Sequence, residues 1–247
     1  MASTDGQRPD PETDRYSYSR TALARLALAY ERRELADRAM GGVPTTSDAW
    51  RSNRGEEVAD ALDLVHQAQE VLTRAVIYER AKGTSWESIG EALGDISRQS
   101  AHERYREAEQ EWKESQQEPY YPAARPGGVR GTRLHPAAIE PTSTGRQLDA
   151  WTRKHLAGRP SIDADEHPVT GHLPVLSTIE EMVQVLDAIQ YAQRTDAGPA
   201  FRATMHERKA ALLDRIAAED GKPEAAVQAK ESRALAARLR ADAQESA

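Results

Sequence analysis

Apolar residues recur at helical spacing along most of the chain and nowhere alternate as a half-buried strand requires. From Ser19 to Met40 there is no Gly or Pro, Leu23, Leu26, Ala27 and Tyr30 share one helical face, and Gly41, Gly42 and Pro44 end the run. Residues 45–55 read as a loop. Beyond it Val58, Ala61, Leu62, Val65, Leu72, Ala75 and Val76 keep the period until Gly83, predicting a helix over Glu56–Lys82 of about 40 Å. A helix of that length needs cover on its apolar stripe, and the 19–40 helix is the expected partner. Further on, Ile179, Met182, Val183, Leu186 and Ile189 predict one helix, and Met205, Lys209, Leu212, Leu213 and Ile216 a second. The last, about Glu224–Ala243, is carried by Ala with Val227, Leu235 and Leu239. Gly198-Pro199 and Gly221 with Pro223 separate them. The expected class is all-α.

Composition sharpens this into several thin units. Leu, Ile, Val and Phe supply only 38 of 247 residues, below the level that fills one continuous core. A closed enzyme barrel or a doubly wound sheet is therefore disfavoured. The expected organisation is a disordered tail over 1–15, a helical domain over 16–118, a Pro/Gly-rich linker with an irregular loop over 119–175, and a C-terminal three-helix unit over 176–247. That last unit is poor in large apolar residues and is expected to self-associate or bind a protein partner.

The absence of cysteine excludes a disulfide framework, a zinc finger and a cysteine nucleophile together. No apolar run is long enough to span a bilayer, and the acidic start MASTDGQRPDPETD is unlike a secretory signal, so a cytoplasmic protein with no membrane contact is expected. The net charge of -7 is unevenly distributed. Residues 1–118 carry -7, residues 161–247 carry -5, and residues 119–160 between them carry +5. The only basic stretch is thus the Pro/Gly-rich one, where Arg125, Arg130, Arg133 and Arg146 are expected to meet phosphates.

The most informative segment is TSWESIGEALGDISRQSAHERY, residues 84–105. Thr84 and Glu87 have capping-box spacing, and Trp86, Ile89 and Leu93 give a short helix an inner face. Gly90 marks a close approach, Gly94 ends the helix, Asp95 and Ile96 turn the chain, and Ser97 is a good N-cap for a helix running toward Trp112. Ala101, Tyr105, Ala108 and Trp112 form a seam on it, while Arg98, Gln99, His102 and Arg106 project elsewhere. Two short helices about a tight Gly turn are the helix-turn-helix pattern.

With Trp86, Ile89, Gly90, Ala92, Leu93 and Gly94 followed by Ser97, Arg98 and Gln99, and with Ala101, His102, Arg104 and Tyr105 downstream, residues 70–106 resemble the tri-helical helix-turn-helix DNA-binding domains of bacterial, especially actinobacterial, regulators. The resemblance departs at Asp95, which looks like one extra turn residue and brings an acid near the phosphates. It implies a transcriptional regulator whose partner is double-stranded DNA. Arg98, Gln99 and His102 would read base edges, since Arg pairs bidentately with guanine and Gln with adenine. Ser97, Ser100, Arg106 and the turn amides would hold phosphates, helped by Arg125, Arg130 and Arg133.

Two features qualify that reading. Between Arg74 and Glu107 basic and acidic residues balance, so the rival is a helical adaptor or structural protein whose helix-turn-helix only packs. One small reading head also binds weakly alone, which together with Trp112 and the two long helices leads to the expectation of a homodimer. No catalytic set is expected, because neither a Gly-x-Ser-x-Gly elbow nor a phosphate-cradling Gly-x-x-x-x-Gly-Lys loop occurs. No cofactor is expected. Asp163, Asp165, Glu166, His167 and His172 are metal-competent but match no metal motif, so no metal is expected either. Tyr120 and Tyr121 either stack on a nucleotide or dock the linker on the preceding helix.

Overall fold

A computed structural model describes residues 11–43, 53–121, 131–195 and 197–245. The fold is all-α. The helices are α1 Pro11–Asp14, α2 Arg20–Gly41, α3 Glu56–Ala81, α4 Trp86–Ala92, α5 Arg98–Gln117, α6 Pro136–Ile139, α7 Pro141–His155, α8 Pro160–Asp163, α9 Thr178–Arg194, α10 Pro199–Asp220 and α11 Pro223–Glu245. Among the described residues there is no strand, only one antiparallel bridge between Tyr120 and Thr132. No helix among them is long and apolar enough to cross a membrane.

The organising element is α2. Ser19 caps it by accepting from Ala22 N, and its first turns bury Ala22, Leu23, Ala24, Leu26, Ala27 and Leu28. Burial this broad exceeds the single face expected from periodicity, because α3 packs on one side and α6 and α7 on the other. Leu23, Ala24 and Ala27 meet Ile77 of α3, Trp112 of α5, and Leu134, Ala138 and Ile139 near α6. This core corrects the expectation of a linker over 119–175. Residues 136–155 are helical, Leu134, Ala137, Ala138, Ile139 and Leu148 are buried, and the segment fills the centre of the molecule. The thin apolar content is met by sharing one core among distant pieces of chain.

The tail expectation also fails over residues 11–15, while residues 1–10 lie outside the described part. Asp14 and Arg15 are buried. The Asp14 carboxylate accepts from Thr142 N at 3.0 Å and from Thr142 Oγ1 at 2.6 Å, satisfying the first turn of α7. Arg15 Nη1 donates to Gln116 O at 2.7 Å, at the end of α5. Tyr16 enters the C-terminal core, against Ala188, Tyr191, Ala192, Phe201 and Met205. Arg20 pairs with Asp187 of α9 at 2.7 Å. The C-terminal helices α9–α11 therefore borrow a core residue from the N-terminus.

Within α9 the buried face is Gln184, Val185, Ala188, Tyr191 and Ala192. Ile179, Val183 and Leu186, expected inside, are exposed, and of the expected stripe only Met182 and Ile189 pack against buried residues. A sequence window cannot tell which of two apolar stripes on α9 faces α10 when Tyr16 arrives from elsewhere. The long helix behaves alike. Gln67 of α3 bonds Glu31 of α2, and Leu64 and Val71 are partly buried, whereas Val58, Leu62, Val65 and Leu72 are 73%, 52%, 52% and 42% exposed.

Candidate nucleic-acid interface

The last turns of α3 join α4 and α5 around a small core of Val76, Trp86, Ile89, Ala101 and Tyr105, with Leu93 and Ile96 packed against it. Capping begins one residue later than the spacing suggests. Ser85, not Thr84, caps α4 by accepting from Ser88 N at 3.1 Å, while Thr84 Oγ1 donates to Glu79 at 2.6 Å. Between α4 and α5 both Gly94 (φ 95°) and Asp95 (φ 60°) are left-handed, a conformation Asp tolerates better than most residues with a side chain. Ile96 N then donates back to Gly90 O at 3.1 Å. A Cβ on Gly90 would lie 2.4 Å from Ile96 O, so the close approach comes from the turn backbone.

Ser97 starts α5 by accepting from Ser100 N at 3.1 Å, and the two hydroxyl oxygens are 2.9 Å apart. Ala101 and Tyr105 face the core. Ser97, Arg98, Gln99, Ser100, His102 and Arg106 are all exposed at the first turns of the helix. Gln99 Nε2 donates to Glu103 Oε1 at 2.9 Å, and the His102 ring stands edge-on to Trp86 at 5.4 Å. Arg98, Arg104 and Arg106 form no ion pair among the described residues. Trp86 is held from behind by Arg80, whose guanidinium lies 4.9 Å from its ring, donates to Thr84 O at 2.6 Å and reaches Glu109 at 3.2 Å. Burial pushes the Glu109 carboxyl up, but Lys113 and Arg80 outweigh it and hold it below the ordinary range. Glu103 and Arg80 were not singled out from sequence. Their i to i+4 spacings from Gln99 and Thr84 were the available signal.

Of the expected basic arm, the structure describes Arg133 and not the two arginines that precede it. Arg125 and Arg130 lie outside the described residues. Arg133 is committed elsewhere: it reaches Glu111 twice at 2.8 Å and Glu114 at 2.6 Å, and these carboxylates hold its pKa above the ordinary value. Pro119 O accepts from Arg133 N at 2.8 Å and Tyr121 N donates to Gly131 O at 2.8 Å, so residues 119–121 and 131–134 pair just beyond the end of α5. Tyr120 docks against the central core and Tyr121 is exposed. Trp112 is 5% exposed inside that same core, so it presents nothing to a second subunit and cannot carry the expected dimer.

The acidic and histidine residues of the 163–172 loop are used structurally. Asp149 accepts from Val169 N at 2.7 Å and from Thr170 Oγ1 at 2.6 Å, and Gly145 leaves room for Thr170. Asp165 accepts from His167 N at 2.8 Å and lies 2.7 Å from His172 Nε2, contacts that hold its carboxyl below the usual range. Asp163 accepts from Gly158 N at 3.1 Å. Among the described residues no group of three or more potential ligands gathers.

Comparisons with protein-family models, with curated proteins and with solved structures give no match to this chain. The chemistry of the exposed face of α5 must therefore carry the functional reading by itself.

Proposed function

We propose that this chain is a sequence-specific double-stranded DNA-binding protein, a transcriptional regulator that inserts the first turns of α5 into the major groove. The observation that carries the reading is the division of α5. One side, Ala101 and Tyr105, is buried against α3 and α4, while Arg98, Gln99, His102 and Arg106 stand exposed at its N-terminal end. That end has free backbone N–H groups and the positive pole of the helix dipole, both favourable beside phosphate. Arg98 and Gln99 supply base-edge chemistry, and Ser97, Ser100 and Arg106 supply phosphate contacts.

Charge limits the affinity. Glu87, Glu91, Asp95 and Glu103 are exposed on α4, the turn and α5, so they oppose phosphate and nonspecific attraction is weak. Selection of preferred sites from random duplex by the full chain at low salt tests the proposal. The expected result is enrichment of a site whose affinity drops at least about tenfold in the Arg98→Ala, Gln99→Ala double variant. Absence of duplex binding at low salt overturns it.

A second reading, a helical protein adaptor, is favoured by one observation. Ile179, Val183 and Leu186 are 79%, 44% and 41% exposed along α9 and Val175, three residues before it, is 89% exposed, a surface suited to a protein partner of the C-terminal helices.

A further inference from the structure

The first half of α3 carries an apolar seam that no described residue covers. Val58, Leu62, Val65, Gln69 and Leu72 are exposed and separated by four, three, four and three residues, the spacing of a coiled-coil seam. At about 100° per residue they fall within an arc of roughly 80°, bordered on one side by the exposed Ala61 and Ala68. The segment Glu56–Leu72 also holds Glu56, Glu57, Asp60, Asp63 and Glu70 and no Lys or Arg. All of these acids project at least about 100° from the centre of the seam.

We infer that the outer face of α3 is a homodimer interface, in which α3 packs antiparallel against α3 of a second copy about a two-fold axis at Val65. The antiparallel register is self-complementary. Val65 meets its own copy, Val58 meets Leu72, Leu62 meets the small Ala68, and Gln69 meets the small Ala61. A parallel pair would bring the acid-rich first turns of the two copies to the same level along the axis. The antiparallel pair sets the acid-rich turns Glu56–Asp63 beside Gln67–Arg74 instead, and keeps charge off the seam. Covering these seven positions on both copies removes on the order of 1,000 Å² from water, the size at which a specific interface becomes sustainable.

The geometry also extends the DNA-binding reading, and this consequence rests on it. Val76, where α3 enters the small α4/α5 core, is 11 residues from Val65. Along the helix axis two such cores are separated by roughly 33 Å at 1.5 Å per residue, close to the ~34 Å of one DNA turn.

The chain has no cysteine, so single thiols test the register directly. Mild oxidation of the full-length Val65→Cys variant is expected to give a disulfide-linked dimer. Val58→Cys alone is expected not to, because its own copy lies about 21 Å away, whereas a mixture of Val58→Cys and Leu72→Cys chains cross-links. Sedimentation equilibrium is expected to return twice 27.3 kDa for the native chain and 27.3 kDa for Val65→Glu, with unchanged helix content. A Val227→Glu control on the exposed face of α11 keeps the dimer mass. A monomeric native chain at tens of micromolar, or self-linking of Val58→Cys, overturns the inference. A dimer of this register that binds no duplex sinks the DNA reading alone, and a monomer that binds duplex sinks only this one.

Discussion

His135 Nε2 lies 2.7 Å from Glu31 Oε1, joining the middle of α2 to the start of α6 inside the molecule. Ala137 N donates to His135 Nδ1 at 3.1 Å, so Nδ1 is the acceptor and Nε2 carries the hydrogen that Glu31 receives. The two side chains are only 6% and 13% exposed, and Tyr30 packs edge-on to the imidazole at 5.3 Å. This contact pins the segment beyond residue 131 to α2.

Glu31→Ala is expected to lower stability by about 1–3 kcal/mol, the cost of leaving a buried donor unpaired. The hydrogen bond from His135, opposed by burial, holds the Glu31 carboxyl below its ordinary value of 4.5. A depressed carboxylate contributes stability that is complete above the unfolded pKa and lost as pH falls through the folded one. Urea denaturation of the native chain should thus lose stability below about pH 4.5, and Glu31→Gln should show a shallower loss over that window. An identical slope in both proteins refutes the assignment.

Gly90→Ala forces a Cβ to within 2.4 Å of a backbone carbonyl that has no flexible way out. The expected cost is about 1–3 kcal/mol of overpacking, read as a lower thermal midpoint. Because the displaced backbone leads into Ser97, duplex binding should weaken even at temperatures where the variant is folded. A Gly90→Ala protein as stable as the native chain would show that the turn relaxes freely.

Tyr16→Ala removes an aromatic ring from the core shared by α9 and α10, where Phe201 lies 6.2 Å away and Tyr191 packs alongside. A loss of about 3–5 kcal/mol is expected. Hydrogen exchange should report it as lost protection in α9 and α10, with α4 and α5 less affected. Uniform loss over the whole chain would instead mean that the C-terminal helices and the central core unfold as one unit.

His206 on α10 has a buried Nδ1 with no hydrogen-bond partner among the described residues, and burial, with Lys209 nearby, lowers its pKa below 6.5. The unfolded chain binds the proton first, so stability is complete above about pH 6.5 and declines as pH falls from there toward the depressed value. Nuclear magnetic resonance titration of the imidazole should give a midpoint below 6.5, and His206→Gln should flatten the stability profile below pH 6.5. A midpoint at or above 6.5 contradicts the burial argument.

Arg98 and Arg133 separate exposed from committed charge. Arg98→Ala should weaken selected-site binding by about tenfold or more and reduce the slope of affinity against salt. Arg133→Ala should leave both nearly unchanged, because Arg133 is already bound by Glu111 and Glu114. Equal losses for the two variants would place the duplex against Arg133 and the end of α5.

Local chemistry was readable where neighbours along the chain decide it. Ser97 and Gly94 mark the start of α5 and the end of α4 because a cap and a left-handed turn need only the next few residues. The helices α2, α3, α4, α5, α9, α10 and α11 were likewise readable from spacing, with α3 ending one residue earlier than expected, whereas α7 falls in the segment read as a linker. The same spacing misjudged which stripe of α3 and α9 is buried, since both helices have apolar residues on two faces.

By itself the sequence determined the all-α class, the positions of the longest helices other than α7, and the residue types at the start of α5, because these follow from periodicity, capping and turn preference. Only the tertiary structure decided that residues 131–155 belong to the central core, that Tyr16 completes the C-terminal one, and that Arg133 is spent on α5. Those outcomes depend on contacts between residues tens to hundreds of positions apart, whose partners no local pattern names. The uncovered seam of α3 is the same lesson in reverse: the sequence shows an apolar stripe, and the structure shows that nothing among the described residues covers it.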